Sequence, residues 1–358
     1  MKIAILNDTH LGVRNASDVF LNYAESFFKE SFFPYCEKNG IRHVLHGGDF
    51  FDNRRFLSVK VLSRTHDMFL SELSRRGMQM DIVLGNHDCY YKNSNRLHSL
   101  ITTLDSHPNI TIHDEPIDWL TPDAAFSIAL IPWINSENRD SVLEFIGSSK
   151  SPIALGHLEL QGFAMMHGNP TASHGDSPDI FSRFESVYSG HYHTKSSRGN
   201  IHYLGTQYEL TWSDCGDPKA FHILDTETRD LITVPYKNSI FHKLNYHDPS
   251  RSEISRMDFS HITGGFVRII VSSKKNLNNF DAYYDRVMKA EPHDVRIVET
   301  SDFDLSGTNI AEDINMLTLD TSVIIHKYID NLETELNKDI LKNLVSEIYT
   351  EAQNNDTV

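Results

Sequence analysis

Short apolar, β-branched runs alternate with longer segments of helical period across the first two-thirds of the chain. Ile3–Asn7, His43–His46 and Met80–Leu84 read as strands. Val19–Lys38 repeats its apolar residues at helical spacing and meets a C-cap signal at Asn39-Gly40, and Ser58–Arg76 is a second helix ended by Gly77. Ser127–Ile131, Ile153–Leu155, Ser186–Ser189, Ile201–Leu204, Phe221–Asp225 and Leu231–Pro235 are further strands. This order predicts an α/β fold, a sandwich of two mixed sheets flanked by helices, over residues 1–237. After a break near Lys237–Asn245, residues 238–300 predict a small α+β domain, with strands Phe266–Val271 and Val295–Glu299 around a helix Asn276–Lys289. Residues 301–310 are polar and read as a linker. Residues 311–358 hold two amphipathic helices, about 311–333 and 338–353, whose apolar stripes include Leu317, Ile325, Tyr328, Leu344 and Ile348.

At 358 residues the chain is too long for one typical core. Hydrophobic residues make up 39%, and no apolar run approaches the roughly 18–20 residues of a membrane span. Cys36, Cys89 and Cys215 have no paired spacing, so neither a disulfide framework nor a thiolate metal site is expected, and a cytoplasmic location is. The formal charge of −16 argues at first sight against a nucleic-acid partner. It is unevenly spread, however. Residues 301–358 carry 12 Asp and Glu against Lys327, Lys338 and Lys342, a balance of −9 that leaves −7 for the first 300 residues. Arg14, Arg54, Arg55, Lys92, Arg96, Lys195 and Arg198 stand close to the motifs described next, where they either contact phosphates or are ordinary solvated charges.

Five short segments hold the chemistry: Asp8-Thr9-His10, Gly48-Asp49 with Asp52, Gly85-Asn86-His87-Asp88, Gly156-His157 and Gly190-His191-Tyr192-His193. Most follow directly on a predicted strand end, where the loops of an α/β sheet face a common crevice. Asp8 and His10 are two apart, so both can point into it. Asp49 is preceded by two glycines, which permit close backbone approach. A single carboxylate between two cations can bridge them at about 3.5–4 Å. Asn86 offers a neutral oxygen where a further carboxylate would over-neutralise the ions. Carboxylates, a carboxamide and imidazoles together suit divalent cations, and a pair of these polarises a phosphate. A lone Asp-x-His says almost nothing; the joint occurrence of five ordered segments carries the reading. His167 and His174, in the Gly/Pro/Ser-rich loop between two of them, either touch substrate or are solvated.

These motifs resemble the signature of calcineurin-like metallophosphoesterases and, within them, of SbcD-type recombination and repair nucleases. Ile131-Pro132-Trp133, the run from Gly156 to Phe163, the run from Ser189 to Thr194 and Asp225-Thr226-Glu227-Thr228 are similar to the T-even phage recombination endonuclease subunits in particular. The resemblance is strong to residue 237 and weak beyond. Combined with the strand-end placement, the family pattern puts one metal on Asp8, His10, Asp49 and His193 and a second on Asp49, Asn86, His157 and His191. It implies that His87 is not a ligand but lies beside the scissile phosphate, stabilising charge or protonating the leaving oxygen, with Asp88 orienting it. Some family members carry His where this chain has Asp52, which would position His87 or a water, or cap a helix. The resemblance further implies 3′-to-5′ exonuclease action on duplex DNA and endonuclease action on single strands in recombination, repair and DNA-end processing, with two Mn2+ or Mg2+ ions. It implies a nuclease homodimer, a DNA-contacting cap over 238–300, an SbcC-like ATPase docked on the C-terminal stripe, no membrane association, and a bacterial host cytoplasm if the chain is phage-encoded.

Two rivals share these residues. A metallophosphatase or small cyclic-nucleotide phosphodiesterase would use the same scaffold, but serine/threonine phosphatases usually show Asp-Arg-Gly where this chain has Asp52-Asn53-Arg54, and a small-molecule enzyme has no use for an acidic helical tail. A non-catalytic DNA-end-binding scaffold would not need every ligand position filled.

Overall fold

Ile3 and Ile5 face one way along their strand and Ala4 and Leu6 the other, and the same alternation recurs in both sheets of the larger unit. The computed structural model describes residues 1–164, 172, 175–299, 329, 332, 336–338, 341, 342, 344 and 345. Met1–Leu210 with Asp217–Lys237 form one compact unit, and Thr211–Gly216 with the described residues from Asn238 onward form another.

In the larger unit the first sheet runs Leu231–Tyr236, Lys219–Asp225, Lys2–Leu6, His43–His46, Gln79–Val83 and Ile110–His113 in spatial order. The last four strands are mutually parallel; the first two are antiparallel neighbours at one edge. The second sheet runs Ser196–Arg198, Ile201–Tyr203, Ser186–Ser189, Ile153–Gly156, Ser127–Ile131 and Ile117–Leu120. Ile3, Ile5, Leu45 and Val83 meet Ile128, Leu130, Ile153 and Leu155 in a core between the sheets. The alternate residues turn outward: Ala4, Leu6, Val44, Met80 and Ile82 pack beneath helices, and Ala129, Ile131 and Ala154 join a third cluster with Val142 and Ile146. Strands buried on both faces read as unbroken apolar runs, which is why the central ones are plain in the sequence.

Both expected helices form, each with a wider π turn in its middle. Asp18–Ser26 passes through Phe27–Phe32 into Phe33–Lys38, and Val59–Thr65 passes through His66–Leu70 into Ser71–Arg75. The turn at Phe27–Phe32 shifts the buried face so that Phe27, Phe28, Phe32 and Phe33 are all buried. Phe27 packs edge-on against Tyr208, Phe221 and Tyr236.

The smaller unit is a three-stranded parallel sheet, Phe241–His247, Phe266–Ser273 and Asp294–Glu299, with Leu277–Met288 packed on one face through Phe280, Tyr283 and Val287. Phe241–His247 corrects the reading of 237–245 as a mere break: its polar positions His242, Lys243 and Asn245 hide the alternation. Helix Arg139–Ser148, the hairpin Cys89–Tyr91 with Ser94–His98, and strands Ile110–His113 and Ile117–Leu120 were also not anticipated. Most of these are short and partly exposed, so their apolar pattern is diluted. The 301–310 linker, His167, His174, Leu317, Ile325, Tyr328 and Ile348 lie outside the described residues; Leu344 is described and exposed. Among the described residues no helix is long and apolar enough to cross a membrane.

Candidate metal centre

The candidate ligands come from strand ends in both sheets. Asp8 and His10 follow Lys2–Leu6, Asp49 follows His43–His46 and Asn86 follows Gln79–Val83, three parallel neighbours of the first sheet. His157 follows Ile153–Gly156, and His191 and His193 follow Ser186–Ser189, parallel neighbours of the second. The ladder continues past the strands. Asp8 N–H donates to Gly48 O (2.9 Å), His10 N–H to Asp49 O (3.1 Å) and Gly190 N–H to Gly156 O (3.1 Å), while Trp133 N–H crosses between the sheets to Leu84 O (2.8 Å).

Aiming these side chains inward bends the backbone. Asp8 (φ 48°), His10 (42°), Asp49 (55°) and His191 (80°) are all left-handed. Such residues cost on the order of 1–3 kcal/mol each, although Asp and His tolerate the region better than most. The turns leave no space beside them. A Cβ on Gly48 would fall 2.7 Å from His157 Nδ1, and one on Gly190 2.6 Å from Asp8 Oδ2.

One carboxylate oxygen sits at the middle. Asp49 Oδ2 lies 3.6 Å from His10 Nε2 and 3.3 Å from His157 Nε2. Asp8 Oδ1 is 3.9 Å from His10 Nε2. Ligand atoms of Asp8, His10 and His193 all lie within 4.8 Å of one another, as do those of Asp8, Asp49 and His157. Asn86 Oδ1 is 2.9 Å from His157 Nε2 and 3.0 Å from His191 Nδ1. The structure therefore brings all seven candidates together. Asp8, His10, Asp49 and His157 are buried, whereas Asn86, His87, His191 and His193 form a partly exposed rim.

Backbone groups fix the orientations. Asp8 accepts from His191 N–H at 3.0 Å on both oxygens and from Asn7 Nδ2 at 2.6 Å. Asp49 Oδ1 accepts from His87 N–H at 2.7 Å. His157 Nδ1 is 2.9 Å from Gly47 O; a carbonyl can only accept, so Nδ1 carries a proton and donates it, which leaves Nε2 facing Asp49 Oδ2. His87 Nδ1 likewise donates to Asp52 O (2.5 Å).

Asp88 does not orient His87, contrary to expectation. Its carboxylate accepts the N–H groups of Asp49 (2.8 Å), Gly85 (2.8 Å) and Phe50 (3.0 Å), tying two ligand loops together. Asp52 does hold His87, but through its main chain; its carboxylate lies 3.3 Å from His10 Nδ1 instead. It caps no helix either, since Ser58 caps the helix that follows.

The carboxylates shift two imidazoles in the same direction. Burial alone would lower the pKa of His10, but contact with Asp52 and the fields of Asp49 and Asp8 raise it to about 9. Burial is likewise outweighed at His157 by Asp49 and Asp8, again giving about 9. Burial opposes ionisation of Asp49, yet His157 and His87 hold it well below the usual carboxylate range. Burial raises Asp8, and raises Asp88 to about 7 with help from Asp49. Desolvation of its ring and the neighbouring His157 lower His191 to about 3. Burial also lowers His87. Neither ring nitrogen of His10 makes an aligned hydrogen bond among the described residues, which suits an atom meant for a cation.

Sequence reasoning missed several supports. Thr9 Oγ1 donates to Phe50 O (2.9 Å) and so must accept from His46 Nε2 (3.2 Å), joining two ligand loops. Buried Lys219 bridges Asp217 Oδ2 (3.0 Å) and the His193 carbonyl (3.1 Å). Only Asn7, directly before Asp8, carried a positional hint. Of the candidate cations, Arg54 and Arg55 follow Asp52 and Lys92 lies on the hairpin after Asp88; Arg14 lies in a left-handed stretch just past His10. Arg96 pairs with Glu137 and Lys195 with Thr233. Arg198 lines a different cavity, of about 500 Å³, which includes none of the candidate ligands.

The family described as calcineurin-like phosphoesterase matches residues 1–195. Exonuclease subunit 1 of Enterobacteria phage T4 is 32% identical over 357 residues, 98% of this chain and 99% of that protein. Putative phosphoesterase 078R of Invertebrate iridescent virus 3 is 26% identical over 214 residues, 58% of this chain and 57% of that protein. A solved archaeal phosphodiesterase is 16% identical, covering 66% of this chain and 100% of that one, at a TM-score of 0.32, too low to bear on the site.

Cation binding at this cluster must displace the protons of His10 and His157, both held to about pH 9. Affinity for Mn2+ should therefore rise with pH up to about 9, with proton release visible by calorimetry in buffers of different ionisation enthalpy. An affinity independent of pH between 6 and 9 would contradict the assignment of these imidazoles.

Proposed function

The chain belongs to the calcineurin-like phosphoesterase family, and from that premise we propose that it is a two-metal DNA nuclease, the nuclease subunit of a recombination and repair complex. The observation that carries the reading is Asp49 Oδ2, which faces His10 Nε2 and His157 Nε2 from two sides and so stands where a bridging carboxylate would. His10 Nε2, buried without a hydrogen bond, fits the group expected there. One ion would be held by Asp8, His10, Asp49 and His193, the other by Asp49, Asn86, His157 and His191. Bound there, divalent cations, Mn2+ or Mg2+, would polarise a phosphodiester and ease deprotonation of the attacking water.

The chain's own groups supply the rest. His87 spends Nδ1–H on the Asp52 carbonyl, which leaves Nε2 for the leaving oxygen. Burial lowers its pKa, so its protonated form is a stronger donor to that oxygen. Asp52 steadies His10 on one side and His87 on the other, and Asp88 holds the loops in register. Arg54, Arg55 and Lys92 leave the site on the loops after Asp52 and Asp88, suited to following a phosphate backbone. Arg14, Arg96, Lys195 and Arg198 have weaker claims.

Likeness over nearly the full length to a protein named as an exonuclease subunit supports DNA as substrate and a second kind of subunit as partner. The finer reading is 3′-to-5′ exonuclease action on duplex DNA, endonuclease action on single strands, a nuclease homodimer and an SbcC-like ATPase, in the bacterial cytoplasm of a phage host. Residues 238–300 would contact DNA as a cap, and 311–358 would dock the ATPase.

Asp49→Ala should abolish cleavage of labelled oligonucleotides and lower metal content while the fold survives in circular dichroism. Near-normal cleavage with two ions still bound would refute the shared-ligand role. His87→Ala should keep both ions and DNA binding but lose about 10²–10⁴-fold in rate; loss of metal by elemental analysis would make it a ligand instead. Deleting residues 308–358 should leave Mn2+-dependent cleavage of single strands almost intact and abolish co-purification with the ATPase. Unchanged affinity for the ATPase would sink the docking assignment.

A further inference from the structure

We propose that Trp133 is a positioning residue for the second ligand set, holding the His191 imidazole in the orientation that presents Nδ1 beside Asn86. The proposal rests on the two-metal reading above. His157 is anchored by donating Nδ1–H to Gly47 O at 2.9 Å, the usual way a ligand imidazole is fixed through its remote nitrogen. His191 has no such anchor. Its Nδ1 lies 3.0 Å from Asn86 Oδ1, and its Nε2 is buried with no hydrogen-bond partner among the described residues. Beyond the contact to Asn86, packing must set its ring, and Tyr192, with its ring centre 5.0 Å away, shares that task with Trp133. The Trp133 ring centre lies 5.2 Å from that of His191 at 45° and 5.9 Å from that of His157 at 69°, and the two imidazoles are 5.1 Å apart. Three rings thus meet, and the indole closes the triangle.

The main chain that carries the indole is itself held on both its N–H and its carbonyl. Trp133 N–H donates to Leu84 O at 2.8 Å, and its carbonyl accepts from Asn95 Nδ2 and from Asn138 Nδ2, both at 3.0 Å. Asn95 Oδ1 in turn accepts from Asn135 Nδ2 (2.8 Å) and Cys89 Sγ (3.2 Å). Cys89 directly follows Asn86-His87-Asp88. A buried amide network therefore ties the segment that bears Asn86 to the residue that packs on His191. Such a network has one stable arrangement when satisfied.

The test uses the full-length protein, with Mn2+ titrated under equilibrium dialysis and read by electron paramagnetic resonance. Wild type should bind two ions. Trp133→Ala should weaken one of them by about 10–100-fold, the range seen when support of a ligand is lost, and leave the other unchanged. Trp133→Phe should restore most of the loss. A second measurement leaves Trp133 intact: the chain has three tryptophans, so Trp119→Phe with Trp212→Phe makes Trp133 the only emitter. Its fluorescence should be quenched by Mn2+ over the concentrations that fill the site weakened in Trp133→Ala. Two ions bound by Trp133→Ala with unchanged affinity, equal weakening of both, or emission indifferent to Mn2+ would each overturn the proposal. Loss of DNA cleavage with both ions retained would make the indole a substrate contact and overturn it too. Fewer than two ions on wild type would instead defeat the two-metal reading itself.

Discussion

The crowding of negative charge around Asp49 is the constraint to which the rest of the larger unit answers. Carboxylate oxygens of Asp8 and Asp49 lie within 4.8 Å of each other in a buried pocket. Two like charges at that separation repel by roughly 3–4 kcal/mol at an effective dielectric near 20. The fold offsets this with donors that cost it no extra charge: His191 N–H and Asn7 on Asp8, and His87 N–H on Asp49. It adds charge through His10 and His157. Four residues in left-handed backbone geometry add further cost at the same place. A sequence selected for stability alone would not concentrate strain and like charge this way, and the concentration is itself evidence of chemistry.

Topology makes the crowding achievable. Parallel strands deliver their carboxyl ends side by side, so three neighbouring strands in one sheet and two in the other each contribute a loop. Backbone hydrogen bonds beyond the strand ends then hold the loops to one another more firmly than side-chain packing could. Asp88 belongs to this scaffold: with three backbone donors on its carboxylate, it acts as an anchor between loops. Depth separates the groups, since Asp8, His10, Asp49 and His157 are buried while the rim of Asn86, His87, His191 and His193 is partly exposed.

The sequence exposed the ligands because they follow apolar runs whose ends are unmistakable, and because glycines beside them mark close backbone approach. The central strands were legible for the same reason. Edge strand Ile117–Leu120 and the half-polar Phe241–His247 were not, because exposed or polar positions dilute the period on which such readings depend. Asp88 was assigned to the wrong partner since adjacency to His87 says nothing about where a carboxylate points when three N–H groups compete for it. Asp52 was open for a related reason: its contact to His87 is made by a carbonyl, which every residue possesses. Trp133, Thr9, His46 and Lys219 reach the ligand loops across long stretches of sequence, such as Thr9 to His46 and Lys219 to the His193 carbonyl, and no local pattern encodes such contacts.

The proposed ligand sets differ in how they are built, and the difference orders their affinities. His10 stands among three carboxylates, with Asp52 at 3.3 Å, Asp49 at 3.6 Å and Asp8 at 3.9 Å. The set containing Asn86, His157 and His191 counts only the shared Asp49 among its proposed carboxylate ligands, although Asp8 also lies close to His157. A cation in the first set would thus be held chiefly by field, which falls slowly with distance and forgives small displacements. A cation in the second would lean more on neutral donors, whose lone pairs must point correctly. On that assignment the second site would be the weaker and the more dependent on rigid support, and it is beside it that the amide network and the Trp133 indole lie. Charge would then secure one half of the centre and geometry the other, with Asp49 belonging to both.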